Sequence, residues 1–164
     1  MPNRSVADIM TKKVVVLSPD TDIYAAVRTL LKKKVSGAPV VDKDQTLVGI
    51  LSEKDCLKVI SATAFDGTPT GTVADYMTQT VNSVGPSASI YDVVDRFLQN
   101  HFRRLPVVDS DGRLLGQVSR RDVLAVIESM RDNPYLYGTE DKRLHPGKDE
   151  VMGVDSAIRR AREG

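Results

Sequence analysis

The chain has 164 residues, 41% hydrophobic and 27% charged, with a net charge of +1. That length supports one compact core of roughly 100–150 residues plus a tail, and the charge balance lacks the basic excess of nucleic-acid binders. A single cysteine excludes an internal disulfide framework and a multi-cysteine metal site, and no apolar run approaches the ~18 residues of a membrane span. Met1 to Ser5 carry no apolar signal core, so the expected location is the cytoplasm, away from membranes. The absence of tryptophan and 5% aromatics argue against base-stacking platforms for single strands.

In chain order, Met10-Thr11 closes a short opening helical turn. Val14-Val15-Val16-Leu17 reads as a β-branched strand. Pro19-Asp20-Thr21-Asp22 carries a helix-start signal, and Ile23, Val27, Leu30 and Leu31 follow at helical spacing, which predicts a helix over 22–33 with one face on a core. Val35 to Val41 is the next strand, and Asp42-Lys43-Asp44-Gln45 is a turn. Leu47 to Leu51 returns, antiparallel because so short a turn allows no crossover. A second helix starts near Glu53, with Leu57, Val59 and Ile60 apolar.

The same pattern then recurs 67 positions later without a gap. Val6-Ala7-Asp8 matches Val73-Ala74-Asp75, Met10-Thr11 matches Met77-Thr78, and Ile23-Tyr24 matches Ile90-Tyr91. Pro39-Val40-Val41-Asp42 matches Pro106-Val107-Val108-Asp109, and Gly49, Ser52 and Asp55 match Gly116, Ser119 and Asp122. The equivalent helical face in the second copy is Ile90, Val94, Phe97 and Leu98. The predicted architecture is therefore α/β, a β-α-β-β-α unit occurring twice. Repeat one spans 6–62, a Gly/Pro/Thr linker 63–72, repeat two 73–130 and a polar tail 131–164. Pro134 ends the last helix. In the tail, Asp155 to Arg162 has the pattern for two helical turns, too short to be stable alone, so it is expected to order only on docking or not at all.

Ser52-Glu53-Lys54-Asp55 and Ser119-Arg120-Arg121-Asp122 admit two readings. One is a capping box, in which Ser and the acidic residue three places on satisfy each other's backbone N–H. The other is a nucleotide site, because a strand entering a helix start leaves N–H groups that attract phosphate, and a carboxylate there accepts from two ribose hydroxyls. The readings are compatible. Cys56 fills an apolar slot whose partner is Val123, so packing is expected of it rather than reactivity. His101 ends a helix, a favourable place for a cation, and has no triad partner in the sequence.

The duplicated order D-x-M-T, then a V-S-G-A-P-V-V-D-like strand, then G-h-h-S-x-x-D resembles CBS domains, over residues 6 to about 130. A tandem pair of these forms a Bateman module. The resemblance implies two repeats packed with pseudo-twofold symmetry, leaving two clefts. Cleft A would join Ser18, Val35, Ser36, Gly37 and Ala38 to Ser119, Arg121 and Asp122. Cleft B would join Gly85, Phe102, Arg103, Arg104 and Leu105 to Ser52, Lys54 and Asp55. Asp122 and Asp55 would hold ribose, Ser119 and Ser52 would face phosphate, and Arg103, Arg104, Lys54 and Arg120 or Arg121 would neutralise it. Backbone near Val35 to Gly37 would meet the adenine edge. Val35 and Phe102 also fit a plain core role, Ser18 a plain helix-entry role, and Arg103-Arg104 a solvent-facing one.

The implied ligand is AMP, ADP or ATP, with NAD or S-adenosylmethionine as alternatives that share ribose and adenine. The implied role is regulatory, through a change of shape or of affinity for a protein target. A homodimer burying helices 22–33 and 89–100 is expected. A ligand-free interaction module is the competing class. No nucleophile–base constellation or metal set is legible, so no enzyme activity is expected.

Overall fold

The helix starts follow the acceptors that the sequence supplies. In this computed structural model, which describes residues 4–67 and 70–131, α1 (Val6–Ile9) follows Ser5 and α2 (Ile23–Lys33) follows Asp22, whose carboxylate accepts from Ala25 N at 3.0 Å. Strands β1 (Gly37–Val41) and β2 (Leu47–Ser52) form an antiparallel hairpin, and α3 (Glu53–Asp66) starts directly from it. The second copy has α4 (Val73–Tyr76), α5 (Ile90–Gln99), the antiparallel pair β3 (Arg104–Val108) and β4 (Leu114–Ser119), and α6 (Arg120–Arg131). Of the described residues, those up to Val126 form one compact unit that holds both hairpins. The described part of the remainder is the last turn of α6.

The opening segment of each copy packs on the other copy. Val6 sits in a core with Val93, Leu105, Val107 and Val118, whereas Val73 sits in one with Ile23, Val40 and Leu51. Backbone bonds fix the exchange: Val6 N donates to Ala88 O at 2.9 Å, and Val73 N to Thr21 O at 2.8 Å. The bridges are reciprocal. Ser5 pairs with Ser89 and Thr72 with Asp22; Thr11 pairs with Gln117 and Thr78 with Ile50. Each pair is the other shifted by the repeat length and reversed, which is the signature of a pseudo-twofold axis. Thr46 pairs with its own counterpart Arg113 and so lies on that axis.

The hairpin turns explain their sequence. Asp42 Oδ1 accepts from Asp44 N and Thr46 N, each at 2.9 Å, and Asp109 Oδ1 accepts from Asp111 N and Arg113 N at the same distance. The next position must be left-handed: Gln45 has φ 66° and its counterpart Gly112 has φ 81°. Only glycine adopts that conformation without a Cβ penalty.

Several elements differ from the sequence reading. Val14 to Leu17 contributes one parallel bridge, Leu17 to Val40, rather than a full strand, because it meets β1 only at its end. Its partner Val84 bridges Val107 in the same way. The first hairpin strand begins at Gly37, not Val35, and α3 continues to Asp66, through the first four residues of the Gly/Pro/Thr stretch. Leu31 and Leu98, grouped by spacing with the core face, are 74% and 80% exposed. The tail reading, including the helical turns at 155–162 and the role of Pro134, lies outside the described residues.

Candidate functional site

Each hairpin delivers its second strand into a helix through a Ser-x-x-Asp turn. In repeat two, Ser119 N and Ser119 Oγ both donate to Asp122 Oδ2 at 2.7 Å, and Asp122 N donates to Ser119 Oγ at 3.2 Å. In repeat one, Ser52 N and Oγ donate to Asp55 Oδ2 at 2.9 and 2.7 Å. The capping reading therefore holds for both turns. It consumes one carboxylate oxygen in each and leaves the fate of the other to the surroundings.

Those surroundings differ. Asp122 is partly exposed and lines a cavity of about 640 Å³, with Ser119, Arg121, Val35, Gly37, Arg103 and Arg104. Asp55 is 5% exposed, and its Oδ1 accepts from Lys58 Nζ at 2.9 Å and Thr78 Oγ1 at 3.3 Å. Burial pushes the Asp55 carboxyl up, but the Lys58 ammonium and the Ser52 donors outweigh it and hold the group below its ordinary value. A second cavity, of about 550 Å³, is lined by Ser52 and Lys54 together with Phe102, Arg103 and Arg104, and Asp55 is not in its lining.

The residues expected in cleft A are only partly gathered. Val35, Gly37, Ser119, Arg121 and Asp122 share the first cavity. Ser36 and Ala38 line the second cavity instead, and Gly37 lines both. Ser18 lines a separate hollow with Pro19, Asp20 and Lys43, and its Oγ accepts from Asp20 N at 3.4 Å. For cleft B, Ser52, Lys54, Phe102, Arg103 and Arg104 come together, while Leu105 is 1% exposed and belongs to the core. Gly85 lines another hollow, beside Asp92 and Arg96.

Arg103 and Arg104 line both cavities, so they form a shared basic wall rather than a feature of one cleft. Arg120 is committed elsewhere: its guanidinium donates to Asn100 O at 3.1 Å and lies 5.9 Å from the centre of the Phe97 ring. Arg120 and Arg121 both line the first cavity, and Arg121 has no such anchor among the described contacts. Cys56 is half-buried, and burial, followed by the charges of Asp55 and Glu53, pushes its thiol up.

Sequence reasoning did not single out Thr11, Lys13, Val14, Val15 and Gln117, which complete the first cavity. The signal was present in the repeated Met-Thr pair. Thr11 N donates to Gln117 O at 2.8 Å and Gln117 N to Thr11 O at 2.9 Å, so the opening segment is pinned to β4 beside Ser119. His101, expected at a helix end in a surface or phosphate-proximal role, lines the second cavity.

A family model described as "CBS domain" matches residues 6–62 and 73–129. The chain belongs to the CBS domain family. It is 33% identical over 127 residues to the uncharacterized protein MJ1225 of Methanocaldococcus jannaschii, a match over 77% of this chain and 44% of that one. The chain thus spans less than half the length of that relative. Among solved structures it is similar to CBSX2 in complex with AMP, with 34% identity, a TM-score of 0.69, and coverage of 77% of this chain and 98% of that one. It is also similar to the CBS domain pair of MJ0100 in complex with 5′-methylthioadenosine and S-adenosyl-L-methionine, at 25% identity and a TM-score of 0.65, covering 79% and 99%. Among the described residues, no helix is long and apolar enough to cross a membrane. No group of three or more His, Cys, Asp or Glu among them stands ready for a metal ion.

Proposed function

We propose that this CBS pair is a regulatory module that binds an adenine nucleotide (AMP, ADP or ATP) between its repeats and thereby alters its shape or its affinity for a protein target. One observation carries the reading: Asp122, oriented by Ser119 at a helix start, faces a cavity of about 640 Å³ that also holds Arg103, Arg104 and Arg121. A carboxylate suited to a ribose diol stands beside arginines suited to phosphate. Val14, Val15 and Val35 give the same cavity an apolar side for a purine. The AMP held by the CBSX2 crystal structure supports this class of ligand.

The second reading is a different adenosyl ligand, NAD or S-adenosylmethionine. It is favoured by the ligands named for the MJ0100 pair, which share adenine and ribose but lack phosphate. In either case the site is read as one that binds its ligand to regulate rather than to transform it. The module acts as a homodimer, as its exposed leucines Leu31 and Leu98 suggest.

Thermal unfolding with AMP, ATP, NAD and S-adenosylmethionine tests the ligand class. A ligand at ~100 times its Kd stabilises the native state by ~2.7 kcal/mol. The expected result is a clear upward shift with AMP or ATP. A shift with S-adenosylmethionine alone selects the second reading, and no shift with any of the four leaves a ligand-free interaction module.

A further inference from the structure

We infer that this chain takes a single adenosyl ligand per module, in the cleft of Asp122, because Lys58 closes the equivalent carboxylate of the other repeat. The inference rests on the adenosyl-binding reading above and specifies which side of the pseudo-twofold carries it.

Both acidic residues spend Oδ2 on their own Ser-x-x-Asp turn. Only Oδ1 remains to accept a ribose hydroxyl. In repeat one that oxygen already holds the Lys58 ammonium at 2.9 Å and the Thr78 hydroxyl at 3.3 Å. The position equivalent to Lys58 is Ala125, which has no donor. Thr11, the counterpart of Thr78, makes no hydrogen bond to Asp122 among the described residues, so Asp122 Oδ1 is open to the cavity.

Burial strengthens the difference. The Asp55 side chain is 7% exposed, so withdrawing Lys58 leaves a largely desolvated carboxylate until a ligand replaces it. At Asp122 no described side chain has to be withdrawn from Oδ1 before a ribose can reach it. The base side differs as well. Where the first cavity has Val35, the second has Phe102, whose ring packs edge-on against Phe97 with centroids 6.1 Å apart. The second cavity keeps His101, Lys54, Arg103 and Arg104 on its walls, with Glu53 as the acidic residue in its lining and Asp55 outside it.

Titration calorimetry of the full chain with AMP, repeated with S-adenosylmethionine, tests this. The parent is expected to bind one ligand per chain. Asp122→Asn, which retains a cap acceptor, should weaken binding roughly 10- to 100-fold through loss of charge-assisted bonds to ribose. Lys58→Ala, which gives α3 the residue that α6 already has, should open a second site and raise the stoichiometry to two. A parent stoichiometry of two, or Asp122→Asn binding like the parent, overturns the assignment while leaving the adenosyl reading intact. A Lys58→Ala stoichiometry of one overturns the role given to Lys58. No heat with either ligand, in parent or variants, sinks the adenosyl reading itself.

Discussion

The Lys58 ammonium stands 2.9 Å from Asp55 Oδ1, and the symmetry-related helix places Ala125 where that lysine would be. Two turns with the same cap thus have different electrostatics. Asp55 is buried, which alone would raise its pKa, yet Lys58 and the Ser52 donors hold it below the ordinary value. A carboxyl depressed in the folded state contributes stability that is fully present above its unfolded pKa, near ~4. That contribution is lost as pH falls through the depressed folded value. Urea midpoints are therefore expected to drop on acidification below about pH 4. In Lys58→Met the acid-dependent part of the drop should shrink. An unchanged profile in that variant would mean that the ion pair is not what depresses Asp55.

Gly116 is placed by contact with the exchanged opening segment. A Cβ there would lie 2.6 Å from Thr11 O and 3.1 Å from Met10 Sδ. A backbone carbonyl cannot yield as a side chain can. Gly116→Ala is expected to destabilise by about 1–3 kcal/mol, the usual range for overpacking, and to weaken ligand binding, since Thr11 and Gln117 line the cavity at Asp122. At Gly49 the nearest atom is the flexible Met77 Sδ at 2.5 Å, with Thr78 O at 3.1 Å. Gly49→Ala should therefore be the milder variant. Equal losses in urea denaturation would contradict this account.

These glycines also mark how far the sequence could be read. The duplication was legible because Met-Thr, Pro-Val-Val-Asp and Gly-x-x-Ser-x-x-Asp recur at one offset. Why Met10-Thr11 and Gly116 recur together was not, because they meet only through the exchange of opening segments, and linear spacing carries no information on which copy a segment joins. The capping pairs Ser52–Asp55 and Ser119–Asp122 were legible as local chemistry. The different surroundings of the two carboxylates were not, since Asp55 Oδ1 is held by Thr78 from elsewhere in the chain. Likewise, Ser36 and Ala38 line only the second of the two cavities while Gly37 lines both, a division that linear spacing does not show.

Cys56 sits within the first turn of α3, where a helix N-terminus ordinarily favours thiolate. Here burial comes first, and the neighbouring charges of Asp55 and Glu53 add to it, so the thiol is held protonated above its ordinary value. Alkylation by iodoacetamide near neutral pH is expected to be slower for the native protein than for the urea-unfolded chain. Faster reaction in the native state would point to an activated cysteine and remove the packing role.

Most of the large apolar side chains that the core does not use come in symmetric pairs. Leu31 and Leu98 on α2 and α5 are 74% and 80% exposed, and Leu57 and Leu124 on α3 and α6 are 66% and 63% exposed. Burying one leucine is worth about 1.5–3 kcal/mol, so a face that places Leu31 and Leu98 against a second copy contributes to pairing, against the cost of association. Because neither side chain packs in the monomer, replacing them should barely disturb the fold, within about 0.5 kcal/mol each. Leu31→Asp combined with Leu98→Asp is expected to halve the mass seen by light scattering and to leave the circular dichroism spectrum unchanged. A parent protein that is already monomeric at high concentration would remove the homodimer. A double variant that stays dimeric would move the interface away from α2 and α5.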